Sequence, residues 1–168
     1  RHDHRGQAVL IFTRADVDYL TGGAGTSALT RVAGLALTEA SRVADVATVR
    51  EEFGEHAAAL IETTLLRRKA AAKFAGRDVA DWLFTDEALQ QATAAAVAAH
   101  RARRLTGAVV HDATCSIGTE LAALRETADA VIGSDLDEVR LAMARHNVPG
   151  VTLCRADALK PVSRDAGG

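Results

Sequence analysis

The sequence changes character near residue 107, and this change constrains the fold more than any other feature of the chain. Beyond it, three short apolar runs rich in Val, Ile and Leu alternate with helical segments, and an acidic residue follows each run. These acidic residues are Asp112, Asp135 and Asp157. Because short β-branched runs that alternate with helices are typical of βαβ units, the pattern predicts a parallel sheet with right-handed crossovers. We therefore expect an α/β fold in this part of the chain.

The first part of the chain has a helical pattern instead. Apolar residues recur at helical spacing in the segments 29–37 and 57–72, as they do in helices that pack on one another. The sequence thus predicts a helical N-terminal domain of residues 1–106, followed by a partial sheet domain of residues 107–168.

Two local signals refine this helical region. Thr85 followed by the acidic Asp86 is typical of a helix N-cap, so we expect one long Ala-rich helix over residues 86–104 that ends before Gly107. The apolar run at residues 8–12 is compatible with a strand or with a first helical turn.

Composition places the chain among ordinary globular proteins. Hydrophobic residues make up 48% of the 168 residues, and 20 basic against 22 acidic residues give a net charge of −2. The high hydrophobic content excludes an intrinsically disordered chain. Because the net charge is close to zero, a nucleic-acid partner would have to be bound by a local basic patch. Cys115 and Cys154 lie in apolar segments, which indicates a reducing compartment. The apolar stretches are shorter than the ~20 residues that a membrane span needs, so we expect a cytoplasmic protein.

The three strand-end carboxylates are the candidate binding residues, because open α/β sheets bind ligands at the carboxyl ends of their strands. Asp112 is followed by a turn of small residues, ATCSIGT, which lets backbone N–H groups approach a ligand closely. Asp135 lies 23 residues further along, a separation that suits a carboxylate accepting from the 2′ and 3′ hydroxyls of a ribose. Asp157 would accept from the exocyclic amine of an adenine. Together the three acids fit an adenosyl ligand with a cationic amino-acid end.

These segments resemble the motifs of class I S-adenosylmethionine-dependent methyltransferases. The run DATCSIGTE at residues 112–120 is similar to their first motif, SDLDEVRLAMARHN at 134–147 to the second, and CRADAL at 154–159 to the third. The combination of SDLD with a helix ending in ARHN is closer to the group that contains trimethylguanosine synthase, guanine-N2 RNA methyltransferases and actinobacterial enzymes with a THUMP-like domain. WLFTDEALQQAT at 82–93 resembles the element that folds over the cofactor in that group.

The resemblance implies a Rossmann-like methyltransferase fold with S-adenosyl-L-methionine as the cofactor. It also implies which residues would bind the methionine moiety, the ribose, the adenine and the lid side of the cofactor. These are Asp112, Thr114, Ser116, Gly118 and Thr119 for the methionine moiety, Asp135 followed by Leu136 for the ribose, Asp157 and Ala158 for the adenine, and Phe84 and Thr85 in the lid.

Two departures from the family pattern affect these expectations. Ser116 replaces the first glycine of the usual Gly-x-Gly turn, which the backbone tolerates only if residue 116 avoids a positive φ. The Asn/Asp-Pro-Pro-aromatic motif that positions the methyl acceptor in this family does not occur in the sequence, so the catalytic residues stay unassigned. Because the family's first strand is central in its sheet, we expect this chain to be a fragment, inactive alone, whose sheet is completed by a further segment or chain.

The resemblance favours RNA as the methyl acceptor. A basic cluster, defined here as Arg67, Arg68, Lys69 and Lys73, lies on one predicted helix and is the candidate contact. Such a run is more often a solvated helix face.

Other features receive structural interpretations. The run TGGAGT at residues 21–26 lacks the Lys-Ser/Thr ending of a phosphate loop, so we expect a flexible turn before a helix that starts near Ser27. Asp137 is expected to be a helix N-cap, and Cys115 a packing residue rather than a nucleophile. Away from the N-terminus the histidines show no metal-ligand spacing, so no metal is predicted.

Two alternatives to a methyltransferase remain. A non-catalytic binding or scaffold fragment of a Rossmann-like protein would carry the same strands and acids. A nicotinamide-dependent oxidoreductase is disfavoured, because its pyrophosphate loop needs three glycines and this turn has Gly118 alone.

Overall fold

The structure is a computed structural model, and it describes residues 10–75 and 77–160. Helices form the N-terminal side, and a three-stranded sheet with two crossover helices forms the C-terminal side. The helices are α1 (Arg14–Thr21), α2 (Gly23–Ala33), α3 (Arg42–Phe53), α4 (Ala57–Lys73), α5 (Asp86–Gln91), α6 (Ala95–Arg103), α7 (Thr119–Leu124) and α8 (Glu138–Asn147). The strands are β1 (Val109–Asp112), β2 (Ala130–Asp135) and β3 (Thr152–Arg155).

The three strands are parallel and lie in the order β1-β2-β3. In the register of the sheet, Asp112 lies opposite Gly133, and Asp135 lies opposite Arg155. Helix α7 connects the first two strands and α8 connects the second and third, as in consecutive βαβ units. The predicted architecture, a helical region followed by part of a Rossmann-like parallel sheet, is confirmed.

Helix α8 begins where the sequence predicted. Oδ1 of Asp137 accepts from the backbone N–H of Val139 at 2.8 Å and of Arg140 at 3.1 Å. These bonds satisfy two of the donors that the first helical turn leaves without a partner. The expectation that Asp137 is an N-cap is therefore confirmed.

One hydrophobic core joins the helical region to the sheet. Leu60 and Leu66 of α4, Ile117 after β1 and Met143 of α8 are fully buried members of the same cluster. Because side chains from both sides share this core, a domain boundary at residue 106 stays a prediction.

The glycine-rich run at residues 21–26 is not a flexible turn, contrary to the prediction. Helix α2 already begins at Gly23 rather than near Ser27. A Cβ atom at Gly25 would lie 2.0 Å from the carbonyl oxygen of Tyr19, so the backbones of α1 and α2 approach too closely for any side chain. This packing overrides the low helix propensity of glycine.

The single helix predicted over residues 86–104 is also wrong. The chain forms α5 and α6 instead, and the backbone between them is extended at Ala92 and Ala94, with ψ of 134° and 143°. The break lets α6 pack on α7 through a small apolar cluster of its own. Tertiary packing therefore decides against the continuous helix that the alanine content favours.

Three further predictions concern the outer strand of the sheet, the first described residues and membrane-spanning helices. Strand β1 is at the edge of the sheet, no strand in residues 10–75 and 77–160 pairs with its outer side, and Val109 on it is 74% exposed. Residues 10–12 form neither helix nor strand, and the first two residues of the ambiguous 8–12 run lie outside the described residues. No helix in the described part is both long and apolar enough to cross a membrane.

Candidate ligand-binding site

The turn between β1 and α7 is held against the end of the neighbouring strand. The N–H of Cys115 donates to the carbonyl oxygen of Ser134 at 2.9 Å, and the N–H of Ser116 donates to Oδ2 of Asp135 at 2.9 Å. Parallel strands bring these groups together because their carboxyl ends meet at one edge of the sheet. These two bonds fix the β1–α7 turn to the end of β2.

The backbone of the turn is left-handed at two positions. Ser116 has a φ of 49°, so the condition under which a serine is tolerated here without strain is not met. Gly118 has a φ of 92°, and a Cβ atom there would lie 2.8 Å from Cγ2 of Val148. Gly118 therefore lets the turn and α8 pack together, whereas the bond to Asp135 holds Ser116 in a conformation that costs an L-residue about 1–2 kcal/mol.

Both oxygens of Asp135 are engaged by the backbone. Oδ2 accepts from Ser116, and Oδ1 accepts from the N–H of Asp137 at 3.0 Å. Each carboxylate oxygen has two lone pairs, so the group keeps the capacity to accept one more hydrogen bond at each oxygen. The carboxylate is half-buried and fixed in orientation.

A cavity of about 200 Å³ lies beside the turn. Its walls come from the turn on one side and from α5 and the α5–α6 connection on the other. The lining residues are Ala88, Gln91, Ala92, Thr93, Asp112, Thr114, Cys115, Ser116, Thr119 and Glu120. Sequence reasoning found the turn but missed Glu120 and the α5–α6 connection. Glu120 could have been found from its place in the first turn of α7, whereas the connection was hidden by the expected continuous helix.

The cavity has an acidic wall. Burial raises the pKa of Asp112 above the ordinary value, and the nearby carboxylates of Glu120 and Asp135 add to the rise, while the N–H of Thr114 opposes it. A cationic ligand group would relieve this penalty by stabilising the ionised acid. Burial also raises the pKa of the Cys115 thiol to about 12, so it stays neutral, which supports its interpretation as a packing residue.

The predicted adenine-side residues lie at the next strand end. The N–H of Ala156 donates to the carbonyl oxygen of Asp135 at 3.1 Å, which places the segment containing Asp157 and Ala158 beside the end of β2. Oδ1 of Asp157 accepts from the N–H of Leu159 at 2.9 Å, and Leu136 is 58% exposed. The ligand contacts of these residues stay predictions.

The predicted lid residues have structural roles in this conformation. Thr85 caps α5 by accepting from the N–H of Ala88 at 3.1 Å. Phe84 is 1% exposed, and its ring lies 6.1 Å from the rings of Phe74 and Trp82. A cofactor contact of Phe84 and Thr85 stays a prediction.

The basic cluster is engaged within the chain. Arg67 donates to the carbonyl oxygens of residues 81 and 82 at 2.7 and 2.9 Å, and Arg68 to those of residues 33, 35 and 36 at 2.6 to 3.2 Å. Lys69 pairs with Asp86 at 3.2 Å, and Lys73 donates to the carbonyl oxygens of residues 89 and 90. These side chains therefore tie loops and helix ends to α4.

Parts of this chain are similar in sequence to known proteins. Residues 13–70 match a family model described as a domain of unknown function, DUF8688. The chain is 65% identical over 126 residues to an uncharacterized S-adenosylmethionine-dependent methyltransferase of Mycobacterium tuberculosis, in strains CDC 1551 / Oshkosh and ATCC 25618 / H37Rv. This match covers 70% of the chain, which spans 35% of the length of those relatives.

A solved structure has a similar fold. It comes from Porphyromonas gingivalis W83, is assigned as a methyltransferase, and superposes with a TM-score of 0.58 at 21% sequence identity. The similarity covers 86% of this chain and 36% of that one. At this level of identity the comparison shows a shared fold.

Proposed function

We propose that this chain is the S-adenosylmethionine-binding part of a methyltransferase. The observation that carries the proposal is the β1–α7 turn, which lies beside an acid-lined cavity and is tied to the second strand end through Asp135. The mycobacterial relatives support it, because they are named S-adenosylmethionine-dependent methyltransferases and share 65% of the aligned residues.

The donor set fits this cofactor. Asp112 and Glu120 line the cavity, and their carboxylates would stabilise the sulfonium and ammonium charges of the methionine end. The free lone pairs of Asp135 would accept from the ribose hydroxyls, and Asp157 would accept from the adenine amine. When bound, the cofactor supplies an activated methyl group, and the residues of this chain would orient it and exclude water from it.

We further propose that the methyl acceptor is RNA. RNA is favoured by the similarity of the SDLD and ARHN segments to RNA methyltransferases. The basic cluster gives this choice little support, because its four side chains already bind groups within the chain. The catalytic residues that would handle the acceptor proton stay unassigned.

Two expectations about context belong to the same proposal. No strand of the described residues pairs with the outer side of β1, and Val109 on it is exposed, which supports a further segment or chain that completes the sheet. Both cysteines are free thiols, which supports a reducing compartment and a cytoplasmic location.

Thermal unfolding in the presence of either of two ligands, added separately, tests the proposal. S-adenosylhomocysteine at about 100 times its Kd should stabilise the chain by about 2.7 kcal/mol, whereas NAD should leave the melting temperature unchanged. Stabilisation by NAD and not by S-adenosylhomocysteine would favour the oxidoreductase alternative. No stabilisation by either ligand would favour a scaffold role.

A further inference from the structure

We propose that Asn147 is a positioning residue that holds the two walls of the cofactor cavity in register. The inference rests on the proposed function and adds a residue that contacts no part of the cavity itself. Asn147 is 6% exposed and is the last residue of α8. Its side chain lies between Leu83, which precedes α5, and Ile117, which lies in the β1–α7 turn.

The amide of Asn147 bonds to both segments at once. Oδ1 accepts from the N–H of Leu83 at 2.8 Å, and Nδ2 donates to the carbonyl oxygen of Leu83 at 2.9 Å. The second Nδ2 proton is donated to the carbonyl oxygen of Ile117 at 3.0 Å. Reversing the amide would set its oxygen against two carbonyl oxygens, so this orientation is the one that the network permits.

The two bonded segments lead directly to the cavity walls. Ile117 lies between the left-handed residues Ser116 and Gly118, and Ser116 lines the cavity. Leu83 is two residues before Thr85, the N-cap of α5, and α5 contributes the opposite wall. The rigid, planar amide of Asn147 therefore sets the position of one wall relative to the other.

Two other α8 side chains also hold the segment before and within α5, and one of them, His146, provides a control. Nε2 of His146 bonds to the carbonyl oxygen of Asp81 at 2.9 Å, and Arg140 pairs with Glu87. Asn147 differs from His146 because its bonds also reach the turn at Ile117. A variant at His146 loosens the same segment while leaving the bond to the turn in place.

The general reason for an effect on binding is preorganisation. A ligand that must first bring two loosened walls together pays the free energy of that ordering, so its affinity falls. Coupling free energies between two sites of a protein typically change affinity by about 5- to 150-fold, which gives the scale for such an effect. We expect Asn147→Ser, which shortens the side chain and cannot span Leu83 and Ile117, to weaken S-adenosylhomocysteine binding at least about fivefold.

The test compares the chain with three variants by calorimetric titration of S-adenosylhomocysteine, at a temperature where circular dichroism shows each of them folded. His146→Ala is the matched control for the segment, and Val49→Ala, a buried residue of α3, is the control for lost stability. Trp82 is the only tryptophan and precedes Leu83, so acrylamide quenching of its fluorescence reports the position of this segment. A merely structural role for Asn147 would not change how this quenching responds to ligand.

The expected result is that ligand protects Trp82 from quenching in the unmodified chain and in both controls, and that Asn147→Ser loses this response together with affinity. Equal affinity and an intact response in Asn147→Ser would overturn the inference, as would an equal loss in His146→Ala. If Asn147→Ser does not fold, hydrogen exchange of the Leu83 amide in the unmodified chain decides: slower exchange with ligand supports the inference and unchanged exchange overturns it. Failure of the unmodified chain to bind would overturn the proposed function first, and this inference with it.

Discussion

The backbone N–H of Ser116 donates to Oδ2 of Asp135 at 2.9 Å, joining the turn after β1 to the end of β2. The other oxygen of this carboxylate accepts from the N–H of Asp137 at 3.0 Å. Asp135 therefore shapes the turn in addition to its proposed contact with the ribose, and these two roles have separable consequences.

Asp135→Ala should weaken S-adenosylhomocysteine binding by about 1–3 kcal/mol, because it removes a charged acceptor for two ribose hydrogen bonds. It should also lower the free energy of unfolding, since two backbone N–H groups lose their acceptor. Asp135→Asn keeps one acceptor oxygen and should recover part of the stability but little of the affinity. Calorimetry and thermal unfolding measure the two effects, and unchanged affinity in Asp135→Ala would remove the ribose assignment.

Much of the sheet could be predicted because its signals are local. The N-cap predicted at Asp137 lies directly before α8, as the sequence indicated. Asp112 and Asp135 come at the ends of β-branched runs in the sequence. Their position at the carboxyl ends of the strands could therefore also be predicted.

The errors lie where distant contacts decide the backbone. Gly25 lies in a helix because its backbone packs closely on α1, and the left-handed Ser116 is held by a carboxylate 19 residues away. The break after α5 depends on α6 packing against α7. The sequence identifies Asn147 only as part of a motif, because its bonds to Leu83 and Ile117 join residues 64 and 30 positions apart.

Asp112→Asn should stabilise the chain at neutral pH. Burial raises the folded-state pKa of Asp112, so between its unfolded value of about 3.9 and that raised pKa the folded chain binds more protons and loses stability as pH rises. The variant lacks this loss, and its advantage should disappear below about pH 4. Thermal unfolding across pH checks the sign, and an equal or lower stability of the variant at pH 7 would contradict it.

The same group predicts how binding depends on pH. Because a cationic ligand favours ionised Asp112, affinity for S-adenosylmethionine should fall as pH drops through the raised pKa. In Asp112→Asn this pH dependence should be lost and the affinity at pH 7 reduced. Calorimetry at several pH values measures it, and an identical pH profile in the variant would exclude Asp112 as its source.

Ser116→Gly should raise the free energy of unfolding by up to about 1 kcal/mol, because glycine adopts the φ of 49° without the strain that serine bears. Gly118→Ala is the opposite control, since alanine there is strained and its Cβ meets Val148. Denaturant unfolding measures both. A destabilised Ser116→Gly would mean that the serine side chain has an interaction that outweighs its backbone strain.

Arg68→Ala should lower the free energy of unfolding by about 2 kcal/mol, because three carbonyl oxygens at and just after the end of α2 lose a charged donor. The affinity for RNA, measured by filter retention at low salt, should fall only in proportion to the fraction of the variant that is unfolded. Unchanged stability with a clear loss of RNA binding would instead make Arg68 an RNA contact.

All of the proposals above require that an adenosyl ligand binds at the β1–α7 turn. Calorimetric titration of S-adenosylhomocysteine into the 168-residue chain tests this directly. We expect saturable binding at one site, weakened by Asp112→Asn and by Asp135→Ala and unaffected by Arg68→Ala. No heat of binding, or equal affinity in the unmodified chain and both acid variants, would contradict it.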